Sequence, residues 1–456
     1  MTEHRKTGSV PAAAAAVGGD ASAAASGRRR RVGLGLATAV VASNMVGGIY
    51  LLPATLAPVG SITTLGWLLA AAGALVVGRV LGRLGRYQPA AGGACAYAGR
   101  SLGRFMGYET TAVYWVACWS GNIAIALVAI GYLASLAPGL ASPVHITVAA
   151  IGFIWLMTAA NVTSPRLICQ MESVALAVGM VPILIVLVGG WWHFRLGVFQ
   201  AGWNPTGAPI AHALPPALVL MFWAFVGLES ASIGTAFVEN PERNVGRATT
   251  YGILLAAAIY ILSCGLIMGI IPVARLAHST APFADAVALI FGPAAGALVA
   301  LAALVKAVGS LGAWILLTTE TGESGAERGD FPTLFARRSR RGLPMANLLL
   351  VAVITSVGVA LSTSPTLGEQ FGKIISVSVN LTLLLYVFAC LSVWPAARRV
   401  PGLRAERGWA AAGIIFCLAV IGWSGAPMLV ATAVALALIN LFYPLWRRHA
   451  AEAKAA

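Results

Sequence analysis

Twelve runs of apolar residues, each near the roughly 20 that carry an α-helix across a bilayer, leave this chain few ways to fold. They lie at about 33–57, 63–82, 105–137, 143–162, 167–191, 215–238, 248–271, 284–318, 345–362, 371–395, 409–424 and 427–446. A soluble domain of 456 residues cannot hide that much: 59% of the residues are hydrophobic, 10% are charged, and the mean hydropathy is +0.84. The expected fold class is therefore an all-α membrane protein with twelve transmembrane helices. The third and eighth runs exceed one span, which implies tilt or helix continuing past the hydrocarbon. Residues 1–31 hold alanines, glycines and charges with little to bury, and are expected to form a disordered tail.

Loop charge sets the orientation. With the N-terminus inside and twelve crossings, 26 of the 30 Lys and Arg fall on the inner side, so both termini are expected in the cytoplasm. The same distribution accounts for the net charge of +15 without nucleic acid, since no basic loop carries the aromatic residues such binding needs. The six cysteines are scattered, all but Cys95 inside apolar runs, without ligand spacing, and the six histidines lie in tails and loops. No metal, cofactor or enzyme chemistry is expected from them.

Two of the runs are interrupted. In the first, Asn44-Met45-Val46-Gly47-Gly48 sets adjacent glycines in mid-helix, at about 1 kcal/mol each relative to Ala. The sixth carries Trp223-Ala224-Phe225-Val226-Gly227-Leu228-Glu229. Five spans separate the breaks, and a repeat of an odd number of helices inverts its second copy. Paired broken helices in matching positions point to a transporter site at the bilayer midplane, where freed backbone groups meet a substrate. The expected division is a first repeat at 32–191, an inverted second repeat at 215–395 and two last helices at 409–446. Together they make a transporter domain of 32–446, followed by a cytoplasmic tail at 447–456.

Side chains inside the runs mark the chemistry. Tyr114, Cys118, Asn122 and Ile125 recur at i, i+4, i+8 and i+11, on one face of the third helix. An Asn there either lines a site or ties two helices together. Trp223 and Trp314 lie well inside their runs, near Gly227 and Gly312, away from the interfaces where Trp is common. A cation over a desolvated indole gains on the order of 2 kcal/mol. Glu229, in a span where an ionisable group costs at least roughly 2.5 kcal/mol, is read as a proton carrier or acid sensor. Lys306, in the eighth run, either couples protons or is held by a structural partner. Lys373, near the outer end of the tenth, is read as snorkelling.

Several strings carry a resemblance. Gly47 to Pro53 (GGIYLLP), Pro89 to Ala98 (PAAGGACAYA), Tyr114 to Ala124 (YWVACWSGNIA), Phe225 to Ser232 (FVGLESAS) and Glu239 to Val245 (ENPERNV) together resemble the amino acid–polyamine–organocation superfamily. Within it the likeness is to the bacterial arginine/agmatine antiporters and their basic amino acid relatives, over about residues 32 to 445. The resemblance implies two inverted five-helix repeats with broken first and sixth helices, often a homodimer through the last helices, and a place in the bacterial inner membrane. It also implies exchange of extracellular arginine for intracellular agmatine by alternating access. The substrate's α-amino and carboxylate groups would sit on the broken helices, at Asn44, Val46, Gly47, Gly48 and Val226.

By the same resemblance Trp223 is an aromatic lid, and Trp314 is the partner of the cationic head. Ala117, Cys118 and Asn122 line that head, with Ile125 on the same face. Ser378 and Tyr386 are similar to tenth-helix site residues, Tyr114 to a gate with Trp223 and Tyr386, and Glu229 to the proton-sensitive acid. One departure stands out: the family usually has small-Ser-small at the first break, and here the residues are Val46-Gly47-Gly48. The hydroxyl for a carboxylate is missing, which leaves backbone N–H groups of the following half-helix to hold an anion. The alternative function is a proton-coupled permease for neutral amino acids, favoured if Gly47 and Lys306 mark a different site. Gly92-Gly93, after the second span, is read as a turn and not a nucleotide site, and the lack of a nucleotide-binding motif favours secondary transport over a pump.

Overall fold

A computed structural model of the chain describes residues 33–46, 48–87, 93–140, 142–229, 238–339, 342–362 and 366–455. The expectations for residues 1–31 and for Gly47 lie outside these residues. The helices are α1 (Leu34–Val46), α2 (Leu52–Leu56), α3 (Thr63–Tyr87), α4 (Gly93–Leu102), α5 (Arg104–Leu136), α6 (Pro143–Thr163), α7 (Pro165–Gly189), α8 (Pro215–Trp223), α9 (Pro241–Ile270), α10 (Pro282–Phe291), α11 (Pro293–Arg328), α12 (Met345–Leu361), α13 (Leu367–Leu391), α14 (Arg407–Trp423) and α15 (Ala426–Ala455). Shorter helical segments, such as Leu196–Ala201 and Val393–Arg399, link some of them.

Nine of the described helices are long and apolar enough to cross a membrane, and the first, sixth and ninth runs supply shorter ones. This is an all-α membrane protein with the twelve-helix, inverted-repeat fold. The fourth and fifth spans begin where the sequence writes caps: Ser142 and Ser164 each precede a proline at the first helical position. Each serine hydroxyl accepts a backbone N–H, from His145 and Leu167 respectively.

The packing has the symmetry of the repeat. The third span, α5, lies against the eighth, α11, and the second, α3, against the seventh, α9. The contact of α5 with α13 has its inverted image in α11 with α7, and that of α1 with α9 in α8 with α3. Small residues allow these close approaches: a Cβ on Gly82 of α3 would stand 3.3 Å from the Gly246 Cα of α9.

Two expectations are corrected. The eighth run, read as one long span over 284–318, is split by Gly292-Pro293 into α10 and α11. Proline disfavours helical backbone in the residue before it, and Gly292 takes φ +91°, which only glycine adopts without strain. The segment after the second span, read as a turn at Gly92-Gly93, is a helix from Gly93 onward, α4, whose first six residues are buried. Gly92 lies outside the described residues.

Candidate substrate site

Both breaks occur where the sequence interrupts its helices. In the first span α1 ends at Val46, the chain turns through Gly48–Leu51, and α2 resumes at Leu52. In the sixth, α8 ends at Trp223, and residues up to Glu229 turn through short bonds such as Val226 N–H to the Trp223 carbonyl at 3.1 Å. Unwinding frees carbonyls that a membrane interior cannot solvate. Two buried tyrosines take up one each. The Tyr132 hydroxyl on α5 donates to the Tyr50 carbonyl at 3.0 Å, and the Tyr260 hydroxyl on α9 donates to the Ala224 carbonyl at 2.8 Å. Tyr50 in turn donates its own hydroxyl to the Gly179 carbonyl of α7.

Glu229 is 2% exposed, and three donors from the described residues converge on it. The Tyr114 hydroxyl reaches its Oε1 at 3.0 Å, the Tyr386 hydroxyl its Oε2 at 2.6 Å, and the Gly227 N–H its Oε2 at 3.1 Å. Gly227 has φ +104°, which turns its N–H back toward the carboxylate two residues on. The third, sixth and tenth spans are thus joined through one buried acid. Both tyrosines expected at gates point inward to it.

Trp223 ends α8, six residues before that acid. Its indole lies over two bare positions: a Cβ on Gly48 would be 2.7 Å from Nε1, and one on Gly121 would be 3.1 Å from the far edge of the ring. The indole N–H is buried and has no hydrogen-bond partner among the described residues. Ser378 stands alongside, donating to the Ala117 carbonyl at 2.7 Å, and Cys118 is a buried free thiol one turn from Tyr114. Val226 is buried close by in sequence. Asn44 is exposed, with its backbone carbonyl facing Gly227, and Val46 is buried.

Further along the α5 face, Asn122 is fully buried and donates to Thr318 Oγ1 of α11 at 3.3 Å, while its amide oxygen has no partner among the described residues. Thr318 in turn donates to the Trp314 backbone carbonyl one turn back on α11, at 2.7 Å. Trp314 and Ile125 are half-buried against the core. Gly312 faces away, toward Met157 and Ile168. The structure therefore gathers Tyr114, Ala117, Cys118, Trp223, Glu229, Ser378 and Tyr386, with Asn122 and Trp314 one step further along α5 and α11.

Lys306 belongs to a different place. Its Nζ donates to Glu172 Oε1 at 2.8 Å and to Ser310 Oγ at 2.6 Å, in the seam between α7 and α11. Sequence reasoning passed over Glu172, although it lies in the fifth apolar run and the rule that picked out Glu229 applies to it equally. Gly121, Thr318, Tyr132 and Tyr260 were also passed over. Gly121 and Thr318 neighbour residues already chosen, whereas nothing local in the sequence marks the two tyrosines as carbonyl partners. Among the described residues no group of His, Cys, Asp and Glu could hold a metal ion.

A family model described as amino acid permease matches residues 35–448. The chain is 34% identical to the cadaverine/lysine antiporter of Escherichia coli (strain K12) over 369 residues, 80% of this chain and 83% of the relative. It is 34% identical to the putrescine transporter PotE of the same strain over 380 residues, 82% of this chain and 86% of the relative. It is also 31% identical to PotE of Haemophilus influenzae over 373 residues, 81% of this chain and 86% of the relative.

Proposed function

The chain belongs to the amino acid permease family, and from that membership we propose that it is a secondary antiporter of the bacterial inner membrane exchanging a basic amino acid for the corresponding amine. The resemblance favours arginine and agmatine; the names of the similar antiporter and transporters favour lysine, cadaverine and putrescine. Both choices share one chemistry, a cationic end with or without a carboxylate at the other. The observation that carries the reading is the Trp223 indole lying over bare Gly48 where the first span breaks, with the broken part of the sixth span also carrying Glu229, a buried acid held by side chains from two other spans.

In this reading the backbone at the first break receives the amino end of the substrate, and the cationic end lies toward Asn122 and Trp314. Val46-Gly47-Gly48 brings no hydroxyl for a carboxylate, which suits an amine that has lost its carboxylate. Glu229 exchanges the coupling proton. Lys306 is the second coupling candidate, since loss of its proton would release it from Glu172. The bundle rocks around this midplane site, with both termini in the cytoplasm.

The test is counterflow in proteoliposomes loaded with agmatine or cadaverine and given labelled arginine or lysine. Uptake that depends on the internal amine is the expected result, and the better pair names the substrate. No counterflow with any cationic amino acid would overturn the reading, and leucine or alanine uptake driven by a proton gradient would replace it with a neutral amino acid permease.

A further inference from the structure

At the end of the bundle that the charge bias assigns to the cytoplasm, the last turns of α3 meet the connection between α13 and α14. Glu406 is buried there, its side chain 3% exposed, and it takes two cations at once. Arg79 Nε donates to Oε2 at 2.9 Å, and Arg83 Nε lies 3.2 Å from Oε1; the arginine side chains are 42% and 36% exposed. One negative charge therefore orients two guanidinium groups and leaves an excess of positive charge facing outward. Arg404 and Arg407 flank Glu406 and raise that excess. The Nε of Arg407 is buried and has no hydrogen-bond partner among the described residues.

Where this cluster lies matters as much as its sign. Arg79 is sixteen residues into the chain from Thr63, the start of α3, about 24 Å along a helix at 1.5 Å per residue. That depth falls near the inner edge of a hydrocarbon core about 30 Å thick. The Arg79 guanidinium sits 4.8 Å from the centre of the Trp409 ring, and Trp409 is exposed, as an aromatic at a headgroup boundary would be. From there α14 continues with the exposed, apolar Ile415. A loop that only set topology would not need a buried carboxylate to hold two arginines in register.

We propose that this cluster binds the phosphate of an anionic phospholipid from the cytoplasmic leaflet, with Arg404 and Arg407 completing the positions that Arg79 and Arg83 begin. Guanidinium groups held in place give paired N–H donors to phosphate oxygens, and basic pockets between spans on this side take anionic headgroups. The occupant would tie α3 to α14 across the boundary of the first repeat and the last two helices.

The full chain in detergent, delipidated and then titrated with phosphatidylglycerol or phosphatidylethanolamine, tests this by thermal unfolding and by native mass spectrometry of retained lipid. Phosphatidylglycerol should raise the unfolding midpoint of the unmodified protein by a few degrees and stay bound, with little effect of phosphatidylethanolamine. Arg404→Gln with Arg407→Gln should lose that shift, and Arg404→Lys with Arg407→Lys should keep part of it. Equal shifts from the two lipids would overturn the proposal, as would a full shift in the Gln variant or the same protection from millimolar inorganic phosphate. The lipid comparison on the unmodified chain decides the matter even if the Gln variant does not fold.

Discussion

The Tyr386 hydroxyl donates to Glu229 Oε2 at 2.6 Å, across 157 residues of sequence, and fixes the tenth span to the unwound part of the sixth. If Glu229 carries the coupling proton, Glu229→Gln removes the titration but keeps an acceptor for one tyrosine. Transport should continue with a flattened pH profile, measured as uptake into proteoliposomes across a range of external pH. A profile unchanged in shape would leave Glu229 a purely structural acceptor. Tyr386→Phe, which removes one hydrogen bond to this buried carboxyl group, should lower stability by about 1 kcal/mol.

Gly48 matters for the room it leaves. A methyl group there would stand 2.7 Å from the Trp223 Nε1, so the indole must move. Overpacking of this kind costs about 1–3 kcal/mol, and Gly48→Ala should weaken substrate affinity by about 10- to 100-fold. Gly35→Ala, in the same first span with nothing within 4 Å of the added carbon, is the control and should leave transport intact. Equal affinity in both variants would place the substrate elsewhere.

Trp314→Leu tests the cationic end. Loss of a cation–π contact of about 2 kcal/mol predicts roughly 30-fold weaker binding of agmatine or cadaverine, measured by calorimetry on protein that still elutes as a single species. Unchanged affinity removes Trp314 from the site.

Lys306 and Glu172 should behave as a unit. Truncating one partner of a buried ion pair strands the other charge and costs about 3–5 kcal/mol, whereas replacing both with apolar residues is often neutral. Lys306→Met and Glu172→Leu should therefore each lower the unfolding midpoint, and the double variant should recover most of the loss. A double variant as unstable as the sum of the two would show that the pair does not account for either effect.

The parts of this site that lie within one helix were legible beforehand. The glycines of the first break, Gly227 in the sixth and the Tyr114–Asn122 face each occupy a few consecutive turns, where spacing alone fixes who shares a surface. Pairings across helices were not legible. Lys306 and Glu172 are 134 residues apart, and Tyr260 and Ala224 meet only because α9 lies beside the unwound sixth span. Gly292-Pro293 was visible in the sequence, but a run judged by its average hydropathy hides a break between two apolar helices.

The two hydroxyl anchors at the breaks differ in what they tie together. Tyr260 joins the sixth break to α9, which packs with α1 and α3, whereas Tyr132 and Gly179 join the first break to α5 and α7, on the side of α11. If α1, α3, α8 and α9 swing as a body, the Tyr260 bond travels with them and the bonds at Tyr50 must yield. The first span would then be the latch of the cycle and the sixth its handle, and the vibrational frequency of the Tyr50 carbonyl would report which way the protein faces.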